Sequence, residues 1–418
     1  MYRIESSGAL LRAHRSLVSR RGRPRVSGTV LLLGICSLLT DISSEMVAAV
    51  LPLYLMTQLG FTPLQLGIVD GLFQGAAAFV RLVGGYIGDR RRRHKGIAAF
   101  GYGLSAFCKL ALAAVGTGFG AIATIVAIDR SGKGLRTAPR DAMISLSSRR
   151  EDLGTAFGVH RALDTTGALI GPLVAFGLLA LAPLAFDSLF IVSFCFALAG
   201  VGVIVLLVRE PERRETAAVE IAEPVRLRAA MALLRGGRFR ALFVAATALG
   251  LATTSDAFIY LALYRSLDLD ATLFPLLFTG TALTFMVLAA PVGRLADRVG
   301  RGRVLVGGYV LLLGVYATLL GPSLGVPGMV LALFMLGAYY AATDGVLMAF
   351  GSAHVPEALR GSGLALLGTA VSASRLVASV LFGALWTWQG IETALAVFAG
   401  GLVVAIAIAA AALRSSRT

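Results

Sequence analysis

Apolar residues run along this chain in long blocks, separated by short charged or glycine-rich breaks. Twelve blocks reach membrane-crossing length: about 28–56, 65–88, 96–115, 119–146, 153–180, 188–208, 239–265, 272–296, 303–321, 327–350, 362–388 and 392–413. A helix needs about 20 residues to cross a hydrocarbon layer of about 30 Å, and each block is of that order. Backbone polar groups in lipid must bond within their own segment, so runs this long predict helices rather than barrel strands. The fold expected is an all-α membrane protein of twelve transmembrane helices.

Charge alternates from break to break. Arg90 to Arg93 and Lys95 follow the second block, Arg149 and Arg150 the fourth, and Arg298, Arg301 and Arg303 the eighth. The breaks on the other side are short and nearly free of Lys and Arg. That bias is the positive-inside pattern, and it predicts cytoplasmic termini and a cell inner (cytoplasmic) membrane location. Residues 1–27 read as a basic cytoplasmic tail that orients the first span; the competing reading is an Arg-rich transit peptide. A cleavable signal is not expected, because the first apolar run is too long and ends in acids. Residues 209–238 form a charged linker, which divides the chain into bundles 28–208 and 239–413, followed by a tail at 414–418.

Composition agrees with the pattern. The 418 residues are 57% apolar and 15% charged, against about 25% charged in soluble domains. A formal charge of +15 suggests nucleic acid, but the arginines sit in loops between apolar spans, so no nucleic-acid partner is expected. Cys36, Cys108 and Cys195 lie inside spans at no metal-ligand spacing and read as packing residues. No cofactor and no metal site are expected.

The two halves repeat. Gly85 to Asp89 and Arg90 end the second span with the string G-Y-I-G-D-R; Gly293 to Asp297 and Arg298 end the eighth with G-R-L-A-D-R. Two copies of G-x-x-x-D-R at equivalent places in a duplicated six-span pattern are a strong signal. On these residues the chain resembles transporters of the major facilitator superfamily over nearly its whole length. The resemblance implies two pseudo-symmetric six-helix bundles, and a gate in which the motif A residues hold the cytoplasmic side shut in one state. The first copy departs from the family pattern, with Arg91, Arg92 and Arg93 after the core string. Small residues let helices approach closely, and the Asp suits the positive end of a facing helix.

The fourth span carries six charges between Ile128 and Asp141. Arg130 lies roughly 16 Å into the membrane at 1.5 Å per residue, where a charge is costly unless it faces protein or water. Arg130, Lys133, Thr137 and Arg140 fall on one helical stripe at i, i+3, i+7 and i+10, with Arg136 off the line. Snorkelling to the interface is the expectation for Arg140 and an even alternative for Arg136. Arg130 and Gly132 resemble the family's motif B, which implies proton coupling. The surplus cations suggest an anionic solute group. Gly132-Lys133 fails as a phosphate loop, having Ala127 in the first glycine position and Gly134 in the last.

Asp41 and Glu45 in the first span share a helix face at i, i+4. Carboxylates paired at that depth are natural proton carriers, or else static partners of Arg130 or Lys133. In the fifth span Gly158, Gly167, Gly171 and Pro172 resemble motif C, with Ala175 in place of its last glycine; the resemblance implies antiport, usually efflux, and its physics is close packing between the halves with a proline kink. Arg161 and Asp164 at i+3 are expected to pair facing the cavity. His160 has the chemistry of a near-neutral titrating group, although a lone His is more often a packing residue. The second half contributes Asp256, Asp344 and Arg375 as substrate-cavity candidates, the acids being set opposite the basic fourth span. Arg81 reads as near the cytoplasmic end of its span, and Lys109 has no account. Phe73, Phe157, Phe258, Tyr260, Tyr339 and Tyr340 are packing aromatics first and cavity linings second.

The expectation is therefore a secondary transporter exporting a small anionic or amphipathic solute against protons by alternating access, with a proton-linked importer as the alternative and a non-transporting sensor behind it. An enzyme is not expected, since H-E-x-x-H, G-x-S-x-G and G-x-G-D strings are missing. The strings T-D-I-S-S-E-M and D-R-x-G-K-G-x-R-T-A-P-R-D resemble a bacterial subgroup for which siderophore or metal-chelate handling is one candidate role. Each chain holds both halves of the site, so a monomer is expected, with the lipid bilayer, a small-molecule solute and protons as its partners.

Overall fold

The structure, a computed structural model, describes residues 26–91, 94–149, 152–210, 231–322, 325–356 and 359–415, with backbone alone at 78–79, 81–91, 360–361 and 413–415. Among these residues twelve helical spans follow one another. They are α1 (Gly28–Leu53), α2 (Pro63–Arg91), α3 (His94–Ala114), α4 (Phe119–Leu146), α5 (Leu153–Leu181), α6 (Phe186–Gly202), α7a (Gly237–Leu251) with α7b (Asp256–Ser266), α8 (Phe274–Val299), α9 (Arg301–Leu320), α10 (Gly325–Ala353), α11 (Arg360–Gln389) and α12 (Ile391–Ser415). Ten of the spans are long and apolar enough to cross a membrane by length and composition. The fourth is not among them, because its apolar start gives way to the charges between Asp129 and Asp141.

Each half packs as its own bundle. In the first, α1 lies on α5 and α6, while α4 lies between α2 and α3; in the second, α10 lies between α8 and α9, and α12 lies on α7a and α9. The halves meet along two seams, α2 with α11 and α5 with α8, which exchange when the halves are exchanged. That is the two-fold relation the repeated motif predicts.

The α2–α11 seam is closest at the ends remote from the chain termini. A Cβ on Gly67 would sit 2.4 Å from the Ser379 carbonyl, and one on Gly383 would sit 2.4 Å from the Pro63 carbonyl. Only glycine permits this backbone approach. The Leu64 N–H donates to Thr387 Oγ1 at 2.9 Å, and Ser379 Oγ donates to Asp70 at 2.7 Å. Farther along, Gly71 and Gly75 face Leu376. Toward the side where α1 begins and α12 ends, Asp344 and Arg161 are exposed.

Span seven departs from the expectation of one helix over 239–265. Its backbone unwinds from Ala252 to Ser255, and Tyr316 of α9 satisfies the break by accepting from the Thr254 N–H at 2.8 Å and donating to the Ala252 carbonyl at 3.2 Å. Ser255 then caps α7b by accepting from the Ala257 N–H. A run of Thr253, Thr254 and Ser255 offers the backbone local alternatives to helix, which is why the interruption falls there.

Candidate functional site

Inside the first bundle the charges of α4 are answered by neighbours on α1, α3 and α5. Asp129 lies between two cations: Lys109 of α3, in direct contact, and Arg130, whose Nε donates to it at 2.9 Å. Lys109 is 2% exposed, and this pairing is why a lysine stands in the third span. The Arg130 guanidinium also covers the Phe73 ring at 3.8 Å. The fourth span thus carries its own counter-ion at the adjacent residue; the expected static pairing of Arg130 with the acids of α1 is not what the structure contains.

Toward the terminal face a second network forms. Arg140 bonds Asp141 at 3.0 Å and Ser37 at 3.2 Å, Ser37 donates to Asp164 at 2.9 Å, and Arg161 reaches Asp164 at 3.2 Å across the i+3 spacing. Arg140 is therefore held inside the bundle instead of snorkelling. Arg136 is 3% exposed and stacks over Tyr102 at 4.5 Å, which decides the even alternative against snorkelling. Asp41 is buried beside Lys133 and Asp164. His160 is buried, and its Nε2 finds no hydrogen-bond partner among the described residues, which fits packing.

The motif C glycines pack against α1 within the same half. A Cβ on Gly167 would meet the Leu38 carbonyl at 2.5 Å, and one on Gly171 would meet the Ile42 carbonyl at 2.7 Å. The expectation of packing between the halves through these glycines is corrected: their stripe draws α5 onto α1, and a neighbouring part of α5, at Ala168 and Pro172, faces α8. Gly158 faces open space. In the second motif A, Asp297 is engaged by Arg301 at 2.9 Å, Arg301 also donates to the Ala349 carbonyl, Gly293 faces open space, and Arg298 is exposed and makes no hydrogen bond or ion pair across the halves among the described residues. In the first copy the backbone through Gly85, Asp89 and Arg90 is helical, while those side chains, and Arg81, lie outside the described ones.

Between the halves lie two chambers. One, of about 190 Å³, is lined by Glu45, Asp70, Phe73, Ser255, Asp256 and Phe278 among others; the second, of about 250 Å³, by Glu45, Pro172, Asp256, Tyr260, Tyr340 and Asp344 among others. Neither lining includes a residue of α4, and every charged residue in both is acidic. Asp256 accepts from the Tyr340 hydroxyl at 2.7 Å. The expected pairing of Asp256 and Asp344 with the basic fourth span does not occur among the described residues: Arg130 and Arg140 pair within their own bundle, Arg136 stacks on Tyr102 and Lys133 lies beside Asp41. Asp70 was not singled out by the sequence; its signal was an acid three residues after Gly67 in an otherwise apolar run. Phe73, Tyr260 and Tyr340 line the chambers, whereas Phe258 packs against Phe382 and Trp386, Tyr339 is buried, and Phe157 is partly exposed.

Two six-helix bundles joined by symmetric seams around chambers with intramembrane acids define a polytopic membrane transporter. The sequence matches the model of the Major Facilitator Superfamily over residues 33–274 and 242–418, and the chain belongs to that family. It is 30% identical to an uncharacterised MFS-type transporter of Methanocaldococcus jannaschii over 367 residues, covering 86% of this chain and 89% of the relative. An uncharacterised protein of Mycobacterium tuberculosis is 35% identical over 161 residues, 38% of this chain and 39% of that protein. Among solved structures, the nucleoside transporter NupG superposes with a TM-score of 0.76 at 18% identity, covering 92% of this chain and 99% of that one. A POT family transporter in complex with 5-aminolevulinic acid gives 0.73 at 14% identity, covering 93% and 96%. At these identities the structural likeness speaks for the fold.

Proposed function

We propose that this protein exports a small amphipathic solute in exchange for protons, by alternating access. The observation that carries the reading is that Glu45 from one half and Asp256 from the other line both chambers. A carboxylate that serves protons and a cationic solute group in turn makes their binding mutually exclusive, and mutual exclusion is what exchange requires. An anionic solute would instead favour protonation of the neighbouring acids, which couples the two in the same direction. The acidic lining therefore favours an amphipathic solute with a cationic group over the anionic class suggested by α4, and the aromatic walls suit its apolar part.

Positive-inside charge gives the side where α1 begins to the cytoplasm and the glycine seam to the exterior, in a cell inner membrane. Rocking about the chambers would open the α2–α11 seam and close the terminal face, with Asp297 leaving Arg301 to meet the facing helix. The site needs one chain only, so the working unit is a monomer.

Proteoliposomes with an internal pH dye test the reading. Lipophilic cations are expected to drive proton movement opposite to their own, lost in Glu45→Gln and in Asp256→Asn. Proton movement in the same direction as the solute would make the protein a symporter and importer. Proton-independent flux that survives both substitutions would end the coupling assignment, and absence of flux with a broad solute panel would favour a sensor.

A further inference from the structure

A third cavity, of about 490 Å³, lies within the second bundle, between α9, α10 and α11. Its lining includes Tyr309, Asp344, Gly368, Thr369, Ser372 and Arg375. Asp344 also lines the larger chamber between the halves, so the two spaces adjoin. The volume is that of a pocket for a small organic molecule.

Arg375 sets its chemistry. It lies among Tyr309, Tyr339, Tyr340 and Asp344, yet it makes no hydrogen bond and no ion pair within 4.0 Å among the described residues. Arg130 and Arg140, by contrast, each hold a carboxylate in their own bundle. A guanidinium at mid-span without a bound carboxylate is costly, and such a group marks a ligand site. Its planar fork matches a carboxylate or phosphoryl group. The Ser372 hydroxyl, on the same lining one turn away, has no partner among the described residues and supplies a further donor.

We infer that this cavity is an anion subsite centred on Arg375, and that the transported solute is zwitterionic: its anionic group docks on Arg375 while its cationic group reaches the acids Asp256 and Glu45 in the adjoining chambers. The cationic half rests on the function proposed above; the anionic half stands on the cavity alone. Asp344 lines both this cavity and the chamber that Asp256 lines, so the two subsites adjoin. Asp344 at the shared wall repels free anions and admits a molecule whose positive end leads.

Purified full-length protein in detergent, titrated calorimetrically with benzoate, benzylamine and 4-(aminomethyl)benzoate, separates the two halves of the inference. The zwitterion is expected to bind about tenfold or more tighter than either singly charged probe. Arg375→Gln is expected to reduce it to the level of benzylamine, Arg375→Lys to retain part of the gain, and Asp256→Asn to reduce it to the level of benzoate. Gly368→Leu fills the cavity and is expected to remove benzoate binding, with Arg240→Gln, at an exposed position in the first turn of α7a, as an unaffected control. Benzoate that does not bind, or binds equally to Arg375→Gln and Gly368→Leu, overturns the subsite. Benzoate bound through Arg375 with benzylamine indifferent to Asp256→Asn leaves the anion subsite standing and removes both the zwitterion and the cationic reading above.

Discussion

Glu45 of α1 and Asp256 at the start of α7b come from different halves of the chain and line the same two chambers. Any rocking of one half on the other changes the surroundings of both carboxylates at once. Asp41, one helical turn before Glu45, lies instead beside Lys133 and Asp164 inside the first bundle.

The contrast sets the first expectation. Glu45→Gln and Asp256→Asn should each weaken binding of a lipophilic cation about tenfold or more, the worth of a charge-assisted hydrogen bond. Asp41→Asn should leave that affinity nearly unchanged, because Asp41 lines neither chamber. Equilibrium binding at fixed pH to the three purified variants checks this.

Asp129 neutralises two buried cations, Lys109 and Arg130. Asp129→Asn strands both and should cost about 3–5 kcal/mol, as breaking a buried pair does. Lys109→Met should cost less, because Asp129 keeps Arg130. Thermal unfolding in one detergent, with the two variants side by side, gives the ranking; equal losses would contradict it.

Tyr316 holds the unwound turn of span seven through the Thr254 N–H and the Ala252 carbonyl. Tyr316→Phe keeps the packing and leaves those buried backbone groups unpaired, at about 1–3 kcal/mol. The expected result is a lowered melting temperature, with slower transport if the break must keep its shape. A melting temperature equal to wild type would mean the break is held by other groups.

Gly383→Val should open the α2–α11 seam, because its first side-chain carbon already meets the Pro63 carbonyl. A cysteine pair at Leu64 and Thr387, whose parent residues are hydrogen-bonded, should join through a short cross-linker in an otherwise wild-type chain. The same pair should fail to join in the Gly383→Val background.

Much of this was legible in the sequence. Block length and loop charge gave the twelve spans, and the paired G-x-x-x-D-R strings gave the halves, because both are local signals. The Arg161–Asp164 contact followed from its i+3 spacing. What escaped depends on rotation and on distant partners. Nothing local says that Lys109 faces Asp129 twenty residues on, or that a hydroxyl from Tyr316 would stabilise a break near Thr254. The fourth span drew attention through its charge, yet that charge is largely answered from within its own bundle; of the acids at the interface, Glu45, Asp256 and Asp344 were legible as candidates, whereas Asp70 stands singly in an apolar run and looks unremarkable in one dimension.

The polarity of α4 also bears on how the chain is made. A nascent membrane protein meets the insertion machinery helix by helix, and each Asp, Lys or Arg near a helix centre resists release into lipid by about 2.5–3.5 kcal/mol. For α4 the counter-ion Lys109 arrives earlier, in α3, while Asp164, which Arg140 approaches to 3.8 Å, arrives only with α5. Release of α4 into the bilayer is thus expected to wait for its successor, making α3 to α5 a unit of biogenesis within a chain whose other helices are mostly apolar enough to leave singly.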